Sequence, residues 1–184
     1  MQETAQVTKI IERDWQIVPR SLEESVELCL ALCTGIVAFN SNPNSPYLIV
    51  HSPPTVGGGI PVLSMNDSMH GKYYNRSSDN PDRISLAEIF AQYTDELTKV
   101  GSNTSSIGIY MASGKRANPT DLAILRNFIM DRRFSVFGAE LNEMVRVRLV
   151  PNPGIIQFMN LAEEIETKPH YAIGTRYDIN LRTS

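Results

Sequence analysis

Side chains able to hold a phosphate, ligate a metal or attack a carbonyl are few in this sequence and widely spaced. Ser113-Gly114-Lys115-Arg116 falls between an alternating apolar run and a helical pattern, where phosphate-binding loops sit. Such a loop needs a glycine five positions before Gly114 and a hydroxyl after the lysine. The chain has Ile109 and Arg116 there, so the segment reads as a solvated turn. Gly57-Gly58-Gly59 enters Ile60-Pro61, and a proline beside an apolar run does not offer the row of N–H groups that an anion needs.

The three histidines, His51, His70 and His170, have no other histidine or cysteine at metal-ligand spacing. His70, near Asp67 and Asp79, is the best placed for a metal, but a lone loop histidine is more often simply exposed. No metal or other cofactor is expected. Asp67, Asp79, Asp82 and Glu88 offer carboxylates, yet nothing ties two of them to one apolar pocket that would set them apart as acid and base. No Gly-x-Ser-x-Gly elbow accompanies the serines. Cys29 and Cys33 are four apart in an apolar run of helical spacing and lack a C-x-x-C motif, so they read as two buried thiols on one helix face. On these residues the chain is not expected to be an enzyme.

Recognition is better served. Val145-Arg146-Val147-Arg148-Leu149 alternates apolar and basic, which puts Arg146 and Arg148 on the outer face of a strand, with Arg176 as a third member of that face. They form either a solvated face paired with Asp178 or a subunit interface, where the guanidinium fork meets a neighbour's carboxylates. Tyr73, Tyr74 and Arg76 stand together among small polar residues, and these are the types that dominate interface energetics.

The elements that position these groups follow from periodicity. Ser21 with Glu24 forms a capping box before Leu22, Val26, Cys29 and Cys33, which predicts a first helix over 22–34, stopped by Gly35. Residues 36–39 and 47–51 read as strands around an Asn-Pro-Asn-Ser-Pro turn. Residues 52–83 are rich in Pro, Gly, Ser and Asn and form an extended loop with one short strand over 60–65. Ser85 and Glu88 cap a second helix with Leu86, Ile89, Phe90, Tyr93, Leu97 and Val100 on its apolar face. A strand over 106–112 leads to a third helix, capped by Asn118 and Pro119, with Leu122, Leu125, Phe128 and Ile129 buried. A meander over 144–150, 155–161 and 170–181 completes an α+β domain: a mixed, mostly antiparallel sheet, about three helices packed on it and one long loop.

With 184 residues, 42% hydrophobic and 20% charged, the chain has a core to bury and reads as one domain over 1–184. The net charge of -3 argues against a dedicated DNA-binding domain. No apolar run approaches the roughly 18 residues of a membrane span, and residues 1–19 mix charges throughout, so a cytoplasmic protein without a membrane partner is expected. The sequons at Asn66, Asn75 and Asn103 then carry no glycan.

From Ser106 onward the order of elements resembles the small tail-terminator and neck proteins of tailed bacteriophages and related injection machines. A strand ends in a polar turn (107–114), a helix carries Ala-Ile-Leu-Arg-Asn (123–127), and an Arg-Val-Arg-Leu-Val strand (146–150) follows. Gly-Ile-Ile (154–156) and Thr-Arg-Tyr-Asp-Ile-Asn-Leu (175–181) complete the pattern, and an early helix and long loop over 22–83 match as well. The resemblance implies a non-enzymatic virion protein, assembled in the host cytoplasm into a homo-oligomeric, six-fold ring. The ring would cap the tail tube, contact the tube protein and a neck or connector protein, and let DNA pass without tight binding. Residues 1–19 have no counterpart there and read as an interaction arm, and the 52–83 loop as the contact with partner rings. The alternatives are a small α/β enzyme or nucleotide-binding domain using Gly114–Arg116 and the 67–79 loop, and a cytoplasmic adaptor.

Overall fold

The computed structural model describes residues 8–10, 15–30, 33–52, 62–64, 83–114, 117, 119–131, 134–136, 146–161 and 173–181. The strands are β1 (Thr8–Ile10), β2 (Trp15–Val18), β3 (Ser25–Cys29), β4 (Thr34–Asn40), β5 (Tyr47–Ser52), β6 (Val62–Ser64) and β7 (Arg83–Ser85), then β8 (Ile107–Ser113), β9 (Ser135–Val136), β10 (Arg146–Val150), β11 (Ile155–Leu161) and β12 (Ile173–Asn180). Helix α1 (Leu86–Lys99) lies between β7 and β8, and α2 (Pro119–Asp131) between β8 and β9.

Two five-stranded sheets result. The outer sheet has the order β1-β3-β10-β11-β12 and the central sheet β2-β5-β4-β8-β9, while β6 and β7 pair separately. Only β1–β3 and β8–β9 are parallel among the described pairs. The α+β, mostly antiparallel class expected from the sequence is therefore present, with two helices among the described residues.

The core has two storeys. Ile36, Ala38, Leu48, Val50, Ile107, Ile109 and Met111 of the central sheet pack against Leu86, Ile89, Phe90, Tyr93 and Leu97 of α1 and Leu125, Phe128 and Ile129 of α2. The alternate residues Val37, Phe39, Ile49, Tyr110 and Ala112 face the outer sheet's Val26, Leu28, Val147, Leu149, Ile156 and Phe158. Every residue of β4 and β8 is buried. A strand covered on both faces has no polar side to show, and so reads as a continuous apolar run.

The helix expected over 22–34 is replaced by β3 and the start of β4. Val26, Leu28 and Leu30, at every second position, all enter the inter-sheet core, and that burial outweighs the helical spacing of Leu22, Val26, Cys29 and Cys33. The two thiols consequently do not share a buried helix face: Cys29 is exposed and Cys33 half-buried. The capping box of α1 is formed, with the Glu88 N–H donating to Ser85 Oγ at 3.2 Å and the Ser85 N–H to Glu88 Oε2 at 2.8 Å. The expected strand within 60–65 is β6, and the meander is β10–β12, turning between the first two through a cis Asn152–Pro153 bond and Gly154 at φ 92. Residues 8–10 and 15–18, within the expected arm, supply one strand to each sheet. Asn118 lies outside the described residues, as do 53–61 and 65–82 of the long loop.

Candidate functional site

At one end of the sandwich the chain passes from β3 to β4 through Leu30 and Cys33. In the β4–β5 ladder Gly35 stands opposite His51 and Thr34 opposite Ser52. Side chains alternate along a strand, so Cys33, Gly35 and His51 share the face turned to the outer sheet. Cys33 packs against the inter-sheet core, as that placement requires. Cys33 and His51 are therefore diagonal neighbours on adjacent strands, a relationship that separates Cα atoms by roughly 7–8 Å. His51 is half-buried, with its Nε2 shielded from solvent. The Gly114 N–H donates to the Cys33 carbonyl at 3.0 Å, so the end of β8 holds the backbone at the cysteine.

On the helix-facing side of the same strand ends, Thr34 stands between Ser52 and Ser113, all three buried. Ser52 Oγ has no hydrogen-bond partner among the described residues. These three hydroxyls form a row across the strand ends in the otherwise apolar helix-facing side of the sheet.

A second cluster lies on the outer face of the outer sheet. Glu27 of β3, 4% exposed, faces Arg148 of β10 in register. Arg148 donates to Glu27 Oε2 through Nε at 2.9 Å, and its Nη2 lies 2.7 Å from the same oxygen. Arg146 Nη1 stands 3.4 Å from Oε1. Gln157, also buried, is opposite Arg148 on the other side, and Asp178 is opposite Gln157. The arginines thus share one face as expected, but their carboxylate partner is Glu27, supplied from 121 residues away, with Gln157 standing between Arg148 and Asp178. Next to Arg146 in register is Cys29, whose thiol is pushed up from its ordinary pKa by burial and then by the Glu27 charge, with Arg146 acting in the opposite sense.

Of the expected recognition residues, Arg146 and Arg148 come together. Arg176 takes the register position opposite Met159, which is itself opposite Arg146. Tyr73, Tyr74 and Arg76 lie outside the described residues, as do His70, His170, Lys115 and Arg116. Among the described residues no three His, Cys, Asp or Glu side chains are grouped to hold a metal ion, and no helix is long and apolar enough to cross a membrane. The Cys33–His51 relationship was not read from the sequence, because the hairpin register alone creates it. The available signal was a cysteine just before one strand and a histidine late in the next.

No protein-family model matches the chain, and no curated protein does. Among solved structures it is similar to the C-terminal domain of CNFy from Yersinia pseudotuberculosis, at 11% identity and a TM-score of 0.30. The match covers 87% of this chain and 55% of that one, so the chain spans about half of the neighbour's length. A similarity of this size defines neither a shared fold nor a shared activity.

Proposed function

We propose that the protein is a thiol-dependent acyl-transfer enzyme with Cys33 as nucleophile and His51 as general base. The observation carrying this reading is the β4–β5 register, which pairs Gly35 with His51 and so sets His51 and the half-buried Cys33 on one face at one end of the sheet. A thiol and an imidazole in that relation are the minimal equipment of nucleophilic catalysis at a carbonyl. His51 takes the proton from Cys33 Sγ, and the sulfur attacks the carbonyl carbon of an amide, ester or thioester. Collapse of the adduct expels the leaving group, which takes the proton from the imidazolium. The resulting thioester on Cys33 is cleared by water or passed to an acceptor.

The test is alkylation by iodoacetamide with the modified cysteine located by mass spectrometry, beside turnover of p-nitrophenyl acetate. Cys33 reacts at least tenfold faster than Cys29 at neutral pH, and His51→Ala removes that advantage. Cys33→Ala abolishes ester turnover. Equal reactivity of the two thiols, or indifference to His51→Ala, overturns the assignment.

A second reading, the ring-forming phage tail component, is favoured by one observation: β8, α2, β10, β11 and β12 occur in the order that resemblance implies, with only the two-residue β9 between α2 and β10 among the described elements. In it the protein caps the tail tube as a six-fold virion ring, and Arg146, Arg148, Arg176, Tyr73, Tyr74 and Arg76 serve its contacts with tube and neck proteins. Native mass measurement separates the two readings, because a monomer that ignores tail tubes removes this one.

A further inference from the structure

We infer that Arg146 is the docking point for an acidic segment of a polypeptide substrate, a statement that rests on the Cys33–His51 reading for the word substrate. The argument begins with where Arg146 stands. A Cβ built on Gly35 would meet Leu28 Cδ1 at 3.3 Å and Val147 Cγ2 at 3.4 Å, so the Leu28–Val147 pair of the outer sheet lies directly over the row that contains His51. The next pair along the outer sheet is Cys29–Arg146. Since β3 ends at Cys29 and the chain re-enters the central sheet at Cys33, Arg146 occupies the same end of the sandwich as the thiol.

Charge supplies the second part. One carboxylate, Glu27, faces two guanidiniums, and Arg148 takes the shorter contacts. Arg146 keeps only the 3.4 Å approach to Oε1 among the described residues, and its side chain is 37% exposed. Among the described residues the Glu27–Arg146–Arg148 group therefore carries one more positive than negative charge, with Arg146 held beside a buried anchor and itself partly open to solvent. A guanidinium in that state is suited to a carboxylate, which it meets with two parallel N–H groups. Arg146 projects from the outer face of that sheet, one sheet thickness beyond the inter-sheet face that carries Cys33, so an extended substrate advancing about 3.3 Å per residue must pass over the end of the sandwich and place its acidic residue roughly five or more positions from the attacked bond. A nucleic acid fits poorly, because its affinity comes from many phosphate contacts and this patch offers one excess charge on a chain of net charge -3.

The experiment uses the full chain carrying Cys33→Ala, so that binding is read without turnover and stays interpretable even if the thiol reading fails. A fluorescein-labelled dodecamer of alternating Glu and Ala is titrated in low salt by anisotropy, beside its Lys–Ala counterpart and a single-stranded oligonucleotide of the same length. The acidic peptide binds best, Arg146→Gln weakens it at least tenfold, Arg146→Lys, which keeps the charge but not the two parallel N–H groups, recovers only part of that loss, and Lys99→Gln on the helix layer changes nothing. Thermal melting of each variant confirms that it is folded. Equal binding by the Arg146→Gln protein, no preference for the acidic peptide, or tighter binding of the oligonucleotide overturns the inference.

Discussion

Gly35 stands directly opposite His51 in the β4–β5 ladder, and it is the residue whose missing side chain lets the outer sheet close down beside the histidine. A Cβ there would come within 3.3–3.4 Å of Leu28, Leu30 and Val147, all buried. Gly35→Ala therefore forces the sheets apart by a few tenths of an ångström in a core with no slack, at a cost of about 1–2 kcal/mol. Urea unfolding measures that loss. The same variant slows alkylation of Cys33, because the strand that carries it is displaced.

Removing the carboxylate that anchors the arginine pair leaves two partly exposed guanidiniums without it. Glu27→Ala strips the acceptor from Arg148, whose side chain is 30% exposed and so regains only part of its hydration. We expect a loss of about 2 kcal/mol in urea unfolding, typical of a charged hydrogen bond with one partner deleted. Arg148→Ala in the Glu27→Ala background costs less than Arg148→Ala alone, and a double-mutant cycle reads the coupling.

Glu27 also governs a thiol. Although Cys29 as a residue is exposed, partial desolvation of its sulfur is the main reason the thiol sits above its ordinary pKa, the Glu27 charge is the second, and Arg146 works against both. Glu27→Gln therefore raises the thiolate fraction at pH 8 and speeds Cys29 alkylation by about two- to threefold, a modest gain because the burial remains. Arg146→Gln slows it. A rate unchanged in Glu27→Gln would show that the carboxylate does not act on this sulfur.

The cap of α1 gives a pH-dependent signature. Glu88 is held below its ordinary pKa by the hydrogen bond with the Ser85 side chain first and the Ser85 backbone second. A depressed folded pKa contributes stability above the unfolded value of about 4.3 and loses it as the pH falls through the folded one. Ser85→Ala costs about 1 kcal/mol at neutral pH, as loss of an N-cap does. It also flattens the acid limb of the unfolding midpoint below pH 4.5, since the larger cause of the shift is gone.

Local signals carried much of the fold. The α1 capping box, the alternation of β8 and the turn signals around β4, β5 and β10–β12 all correspond to observed elements. The failure at β3 is instructive, because Leu22, Val26, Cys29 and Cys33 satisfy a helix while Val26, Leu28 and Leu30 satisfy a strand. Only a partner, β10, decides between them. The arginine face was legible from Arg146 and Arg148, but its carboxylate was not, since Glu27 sits in the segment misread as helix. Cys33 and His51 belong to adjoining strands whose register no local pattern states.

The outer sheet has one more consequence, and it concerns time. Its first two strands come from residues 8–29 and the next three from residues 146–180, so β3 acquires its neighbour β10 only after most of the polypeptide has left the ribosome. The β2–β5–β4–β8 portion of the central sheet is built from residues 15–113 and is available earlier. Pairings this remote close slowly, because the loop entropy is lost before the contact is gained. Until then the inner face of the central sheet and the free edge of β3 stay uncovered, which makes the half-made chain a natural client for chaperones and its slowest refolding step the arrival of β10 on β3.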